Sequence, residues 1–250
     1  MSKTLSLFEY PELAAVGQIE TANSVLGSLM EEPILYVPAY SKLAGDTYAG
    51  YFLSWFLRNC PYGQSIKIRD EDMLEALGLT VSRWHSVRRL LKQLKFLNSA
   101  RSDGHTVYSL NESDFSEALR EQDNRHQGDR AYGEMPSVPL DRLCTAAMLR
   151  SGLKINDVLF YFAVQAQQRY LTPDKRGEYS EWIPYNEEQA NALAMLSHED
   201  QQRSMKALDK AGLIESGRHP LFNITVFRLN YQAMANLSWQ YLHGAGNGGI

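Results

Sequence analysis

Two stretches of this chain carry the same pattern, 117 residues apart. Leu79-Thr80 is followed by Leu91-Lys-Gln-Leu94-Lys-Phe96-Leu97 and then by Tyr108-Ser-Leu110-Asn111. Leu196-Ser197 is followed by Leu208-Asp-Lys-Ala211-Gly-Leu213-Ile214 and then by Phe227-Arg-Leu229-Asn230. The first two blocks keep the offset of 117 and the third moves to 119, as a loop two residues longer in the second copy would require. Self-similarity at a fixed spacing means one folding unit used twice. A chain of 250 residues so built divides into two small domains rather than one large one. The upstream parts correspond more loosely, Tyr36-Val-Pro38-Ala-Tyr against Ser137-Val-Pro139-Leu-Asp. The expected units are 33–116 and 136–232. An arm precedes them at 1–32, and a helix end and flexible tail follow at 233–250. Residues 117–135 are rich in Arg, Glu, Asp, Gln and Gly, cannot bury much surface, and read as a helix end followed by a linker.

Each copy has a definite order of elements. In the first, Lys42 to Arg58 reads as an apolar helix, with Tyr48, Phe52, Trp55 and Phe56 at helical spacing. Ser65 to Arg69 alternates as a short strand. Asp70-Glu-Asp opens a helix, where acidic residues suit the dipole and cap free N–H groups. Gly78 ends it. Thr80 or Ser82 caps the next helix, which runs to about Leu94. Lys95 to Arg101 and His105 to Leu110 are strands joined through Ser102-Asp103-Gly104. In the second copy Lys154 to Tyr170 is the first helix, Trp182-Ile-Pro-Tyr the short strand, and Asn186 and Ser197 the caps of the next two helices. Gly212–Ser216 and Ile224–Leu229 form the returning hairpin. Helix, strand, helix, turn, helix, hairpin is the order of a winged helix-turn-helix. The expected fold class is therefore α+β, mainly α with small β wings, as two winged helix-turn-helix domains in tandem.

Charge is unevenly placed along this framework. The chain carries a formal net charge of -4. Ser82 to Arg101 nevertheless holds six Lys and Arg and no Asp or Glu, which leaves the remainder ten charges negative. In the helix from Ser82, Trp84, Val87, Leu91 and Leu94 lie on one face. Ser82, His85, Ser86, Arg89 and Lys92 lie on the other, flanked by Arg83 and Arg88. Such a helix fits the major groove, where Arg pairs bidentately with guanine. Lys95, Arg101 and His105 on the hairpin reach the backbone. The alternative is a merely solvated basic face; segregation of charge onto the reading helix favours nucleic acid. The second copy differs. His198 to Ala211 sets Arg203, Lys206 and Lys210 against Glu199, Asp200 and Asp209, for no net charge. Arg203, Lys206, Lys210 and Arg218 there form either a second DNA surface or a dimerisation or partner surface.

Other classes of function lack their residues. The sequence holds no H-E-x-x-H, no Walker loop and no G-x-S-x-G. Cys60 and Cys144 form neither a disulfide framework nor a zinc pair. No metal, cofactor or catalytic residue is expected, and the chain reads as a non-enzyme. The longest apolar run, Tyr48 to Leu57, still contains Gly50 and Ser54 and is about half of what a membrane helix needs. No membrane association and a cytoplasmic location are the expectations.

The run from Ile34 to Trp55, followed by Leu77-Gly-Leu-Thr80, Leu91-x-x-Leu94-x-x-Leu97 and a wing, resembles winged-helix replication proteins of phages and plasmids. Two such units in tandem resemble plasmid replication initiators. The resemblance covers 33–111 well and 136–230 weakly. It implies binding to repeated origin sequences in double-stranded DNA and recruitment of a host helicase or loader; a second copy of the chain is a further expected partner, apart from the resemblance. Departures from that pattern are the acidic overall balance and the neutral second reading helix. Two other purposes use the same fold, transcriptional regulation and service as an adaptor or structural subunit of a larger nucleoprotein complex.

Overall fold

A computed structural model describes residues 33–125, 137–168, 181–219 and 221–244. The expected arm at 1–32, residues 126–135 of the expected linker, residue 136, Tyr170 and the tail beyond 244 lie outside them. The described chain is α+β, mainly helical with small sheets. It divides into two compact units at Pro139 and Leu140. In the first, β1 (Ile34–Tyr36), α1 (Pro38–Ala44), α2 (Thr47–Asn59), β2 (Ser65–Ile68), α3 (Asp70–Leu77), α4 (Val81–Gln93), β3 (Leu97–Ser102), β4 (His105–Leu110) and α5 (Glu112–Arg125) follow in order. The same order recurs as β5 (Val138–Leu140), α6 (Arg142–Arg150), α7 (Ile155–Gln168), β6 (Ile183–Pro184), α8 (Glu187–Ala194), α9 (His198–Lys210), β7 (Ile214–Arg218), β8 (Thr225–Leu229) and α10 (Tyr231–Gly244).

The first apolar helix is two helices, not the single one expected from Lys42 to Arg58. Gly45 at φ 68 ends α1, and Asp46 caps α2 by accepting the Ala49 amide at 2.8 Å. The break lets α1 fold back on α2, and their approach is close at Gly50. A Cβ there would stand 1.8 Å from Ser41 Oγ. Ser54 Oγ donates to the Gly50 carbonyl at 2.7 Å and accepts the Val37 amide at 3.0 Å, tying the two helices together. The buried face of α2 then supplies the core. Phe52 meets Trp84 of α4 with ring centroids 4.7 Å apart, and Trp84 meets Tyr108 of β4 at 5.6 Å.

β2, β4 and β3 form an antiparallel sheet in that spatial order, and β6, β8 and β7 form its counterpart. In the N-terminal unit α3 ends at Gly78, φ 64, and Thr80 Oγ1 caps α4 by accepting the Arg83 amide at 3.3 Å. The acidic start of α3 does not cap it. The N-cap is Arg69, which has no capping side-chain bond, and Asp72 is spent on a two-pronged bond with the Arg69 guanidinium at 2.7 and 2.8 Å. α5 continues through 117 to Arg125, in keeping with the helix end read at the start of the expected linker.

The repeat is reproduced down to single hydrogen bonds. The Phe96 amide bonds the Leu91 carbonyl and the Asn111 amide the Phe96 carbonyl, each at 2.9 Å. In the second unit Leu213 bonds Leu208 at 3.0 Å and Asn230 bonds Leu213 at 2.9 Å. The hairpins begin on Leu97 opposite Leu110 and on Ile214 opposite Leu229. That register accounts for the offsets of 117 and 119: the connection at 219–224 is four residues longer than Asp103-Gly104, and β7 and β8 are each one residue shorter than β3 and β4, a net gain of two.

Candidate nucleic-acid interface

α4 is 13 residues long, which is about 20 Å. Trp84, Val87 and Leu91 are buried, so the helix is fixed in rotation about its axis. Leu94, expected with them, closes the helix and is only half-buried. Fixing the buried face fixes the opposite one: Ser82, His85, Ser86, Arg89, Lys92 and Gln93 are all exposed. Arg83 and Arg88 flank that face on opposite sides, and the structure gives them different surroundings.

Arg83 is exposed, with its guanidinium 4.3 Å from the centre of the Tyr48 ring on α2. Arg88 is drawn inward, and its side chain is 21% exposed. Its Nη2 donates to Ser99 Oγ on β3 at 2.9 Å, its Nη1 lies 3.9 Å from Asp70 Oδ2, and its guanidinium lies 5.8 Å from the centre of the Tyr108 ring. Tyr108 in turn donates to Asp70 Oδ1 at 2.6 Å. Burial first, and then the hydrogen bond to Asp70, push the Tyr108 phenol up to about 12, so this hydroxyl keeps its proton as a donor. Arg88 thus joins α3, α4 and β3.

His85, Arg89, Lys92, Lys95 and Arg101 make no side-chain hydrogen bond or ion pair among the described residues. His85, Arg89, Lys92 and Lys95 border two shallow open depressions that meet at Lys92. One, of about 450 Å³, is lined by His85, Arg88, Arg89, Lys92 and Gln93. The other, of about 620 Å³, runs from Lys92 and Lys95 over the outer face of the hairpin, where Asn98 sits opposite Ser109 and Ala100 opposite Val107. Lys95 stands at φ 59, immediately after the turn that closes α4. At the hairpin tip His105 Nδ1 bonds the Asp103 carbonyl at 2.8 Å, and Asp103 pairs with Lys67 at 3.4 Å. Tyr48, read in the sequence only as part of an apolar helix face, and Lys67 lie outside the basic run, and only the fold brings them to it.

In the second unit Arg203, Lys206 and Lys210 share one face of α9, three and four residues apart. The first turn compensates part of their charge. Arg203 pairs with Asp200 at 2.6 Å, and Asp200 also accepts from Asn156 at 3.2 Å. His198 pairs with Glu187 at 2.7 Å. Arg218 is on β7, with its Nη1 donating to the Asn223 carbonyl at 2.8 Å. Among the described residues no group of three or more His, Cys, Asp or Glu is placed to hold a metal ion, and no helix is long and apolar enough to cross a membrane. No protein-family model matches the chain, and no curated protein matches it in sequence.

Proposed function

We propose that the chain is a non-enzymatic, sequence-specific binder of double-stranded DNA built from two winged helix-turn-helix units. In this reading α4 enters the major groove with His85, Arg89 and Lys92 toward base edges and phosphates. Lys95 and Arg101 meet the backbone from the β3–β4 wing, beside His105 at its tip. The observation that carries it is the uncompensated positive face of α4. Charges that serve only solubility are interspersed with the opposite sign. Here the cations gather on one exposed surface, while on the equivalent helix of the second unit Asp200 pairs with Arg203. The resemblance of the sequence to plasmid and phage replication proteins supplies the setting, initiation of replication on a mobile element with a host helicase or loader as partner.

Selection of bound duplexes from a random library tests the reading. The full chain should enrich a discrete motif, and Arg89→Ala with Lys92→Ala should abolish the enrichment. Failure to enrich any sequence would overturn it. Whether the recovered motif recurs in an origin beside a co-purifying helicase, or stands alone in a promoter, separates an initiator from a regulator.

A further inference from the structure

The hairpin of the C-terminal unit ends in side chains that a groove contact through α4 does not use. Between β7 and β8, Leu221 is 82% exposed, Phe222 69% and Ile224 39%. The corresponding turn of the N-terminal unit is Asp103-Gly104, polar and ion-paired. Internal bonds hold the apolar tip in place. The His219 amide donates to the Ile224 carbonyl at 2.9 Å and the Asn223 amide to the His219 carbonyl at 3.0 Å. His219 Nδ1 accepts the Leu221 and Phe222 amides at 3.3 and 3.4 Å, which leaves Nε2 as the protonated nitrogen of the neutral ring. The Phe222 ring stacks on that imidazole, centroids 4.9 Å apart.

The size and charge of this tip narrow its occupant. Two or three side chains cover far less than the roughly 800 Å² that each partner contributes to a stable protein interface. They suffice for one base step, where a single apolar wedge parts two stacked pairs. From Ser216 to Asn230 the chain holds Arg218 and Arg228 and no Asp or Glu. Arg228 is bound by Glu215 at 2.6 Å and Glu181 at 3.4 Å, which leaves Arg218 and the Nε2–H of His219 as the donors beside the wedge. An apolar tip beside two donors, with the one carboxylate of its hairpin, Glu215, held by Arg228, complements a base step flanked by phosphates.

We infer that the β7–β8 tip inserts Leu221 and Phe222 at a base step of duplex DNA, with Arg218 and His219 on the adjoining phosphates. The inference rests on the reading that the chain binds duplex DNA, but it uses another unit and another kind of contact. The inserted step is unstacked and the duplex kinked, most readily at a flexible pyrimidine–purine step such as TA.

The test uses the full chain and a duplex carrying its selected site, with 2-aminopurine placed at successive positions and dyes at the two ends. Binding should raise 2-aminopurine fluorescence at one step and shorten the end-to-end distance. Leu221→Ser with Phe222→Ser, folded by circular dichroism, should lose both signals and bind about tenfold more weakly, and Phe222→Leu should retain them. Wild-type binding without unstacking or bending overturns the wedge and leaves the α4 reading intact. Absence of any duplex binding overturns both. Unchanged DNA signals in the double variant, with self-association lost instead, would assign the tip to protein contact and overturn the wedge.

Discussion

Two arginines adjacent in sequence do different work. Arg88 is held by Ser99, Asp70 and the Tyr108 ring, whereas Arg89 projects into solvent without a partner among the described residues. Arg88→Ala should therefore lower stability by about 1–2 kcal/mol, since it strips a half-buried hydrogen bond to a charged group. Arg89→Ala should leave stability within about 0.5 kcal/mol and weaken DNA binding. Chemical unfolding and anisotropy titrations on both variants check the contrast; equal effects on stability would contradict it. The buried tyrosines give a pH signature. Burial pushes Tyr36 and Tyr108 up to about 12, and the Asp70 hydrogen bond adds to the rise at Tyr108. The folded state thus keeps protons that the unfolded chain releases near pH 10. Their stabilising effect is complete below that pH and is lost as pH rises from 10 to 12. Absorbance at 295 nm should show these phenols ionising only as ellipticity is lost. Ionisation of all the tyrosines at pH 10 in a folded protein would contradict it.

The paired elements of the repeat solve one backbone problem with different residues. The residue after α3 is Gly78 at φ 64, and its counterpart after α8 is Met195 at φ 55. The residue closing the turn after α9 is Gly212 at φ 70, and its counterpart after α4 is Lys95 at φ 59. Left-handed backbone costs a side chain about 1 kcal/mol, and glycine avoids that strain. Met195→Gly should accordingly stabilise the C-terminal unit by about 0.5–1 kcal/mol, measured by thermal unfolding; a loss of stability would show that the Met195 side chain contributes more than its backbone strain removes. Much of this level was legible in the sequence. Helix–turn–helix–hairpin could be read twice because the glycines, the Thr80 and Ser197 caps and the alternating strands are local signals. The break between α1 and α2 was missed, because Gly45-Asp46 interrupts a run whose apolar spacing continues across it. The Asp70-Glu71-Asp72 caps were misassigned, because what those carboxylates bind, Tyr108 and Arg69, is decided by tertiary contact and not by position in the first turn. Leu221 and Phe222 read as loop, since exposure is not a property of the residue type.

At the scale of the whole chain, a molecule of net charge -4 brings four cations without partners among the described residues, Arg89, Lys92, Lys95 and Arg101, onto one helix and hairpin. The basic run was visible as composition. Which of its members are free was not, because that depends on where Asp70, Ser99 and Tyr108 fall in space. A surface of this kind draws its affinity from counterions released by phosphates, so its strength depends on salt far more than an apolar contact would. The most direct measurement is duplex affinity of the full chain against salt concentration, compared with Arg89→Ser combined with Lys92→Ser. The wild type should lose affinity along a log–log slope of about -3 to -5, with the slope shallower by about 2 in the double variant. No duplex binding in dilute salt, or a slope that the double variant leaves unchanged, would contradict the account.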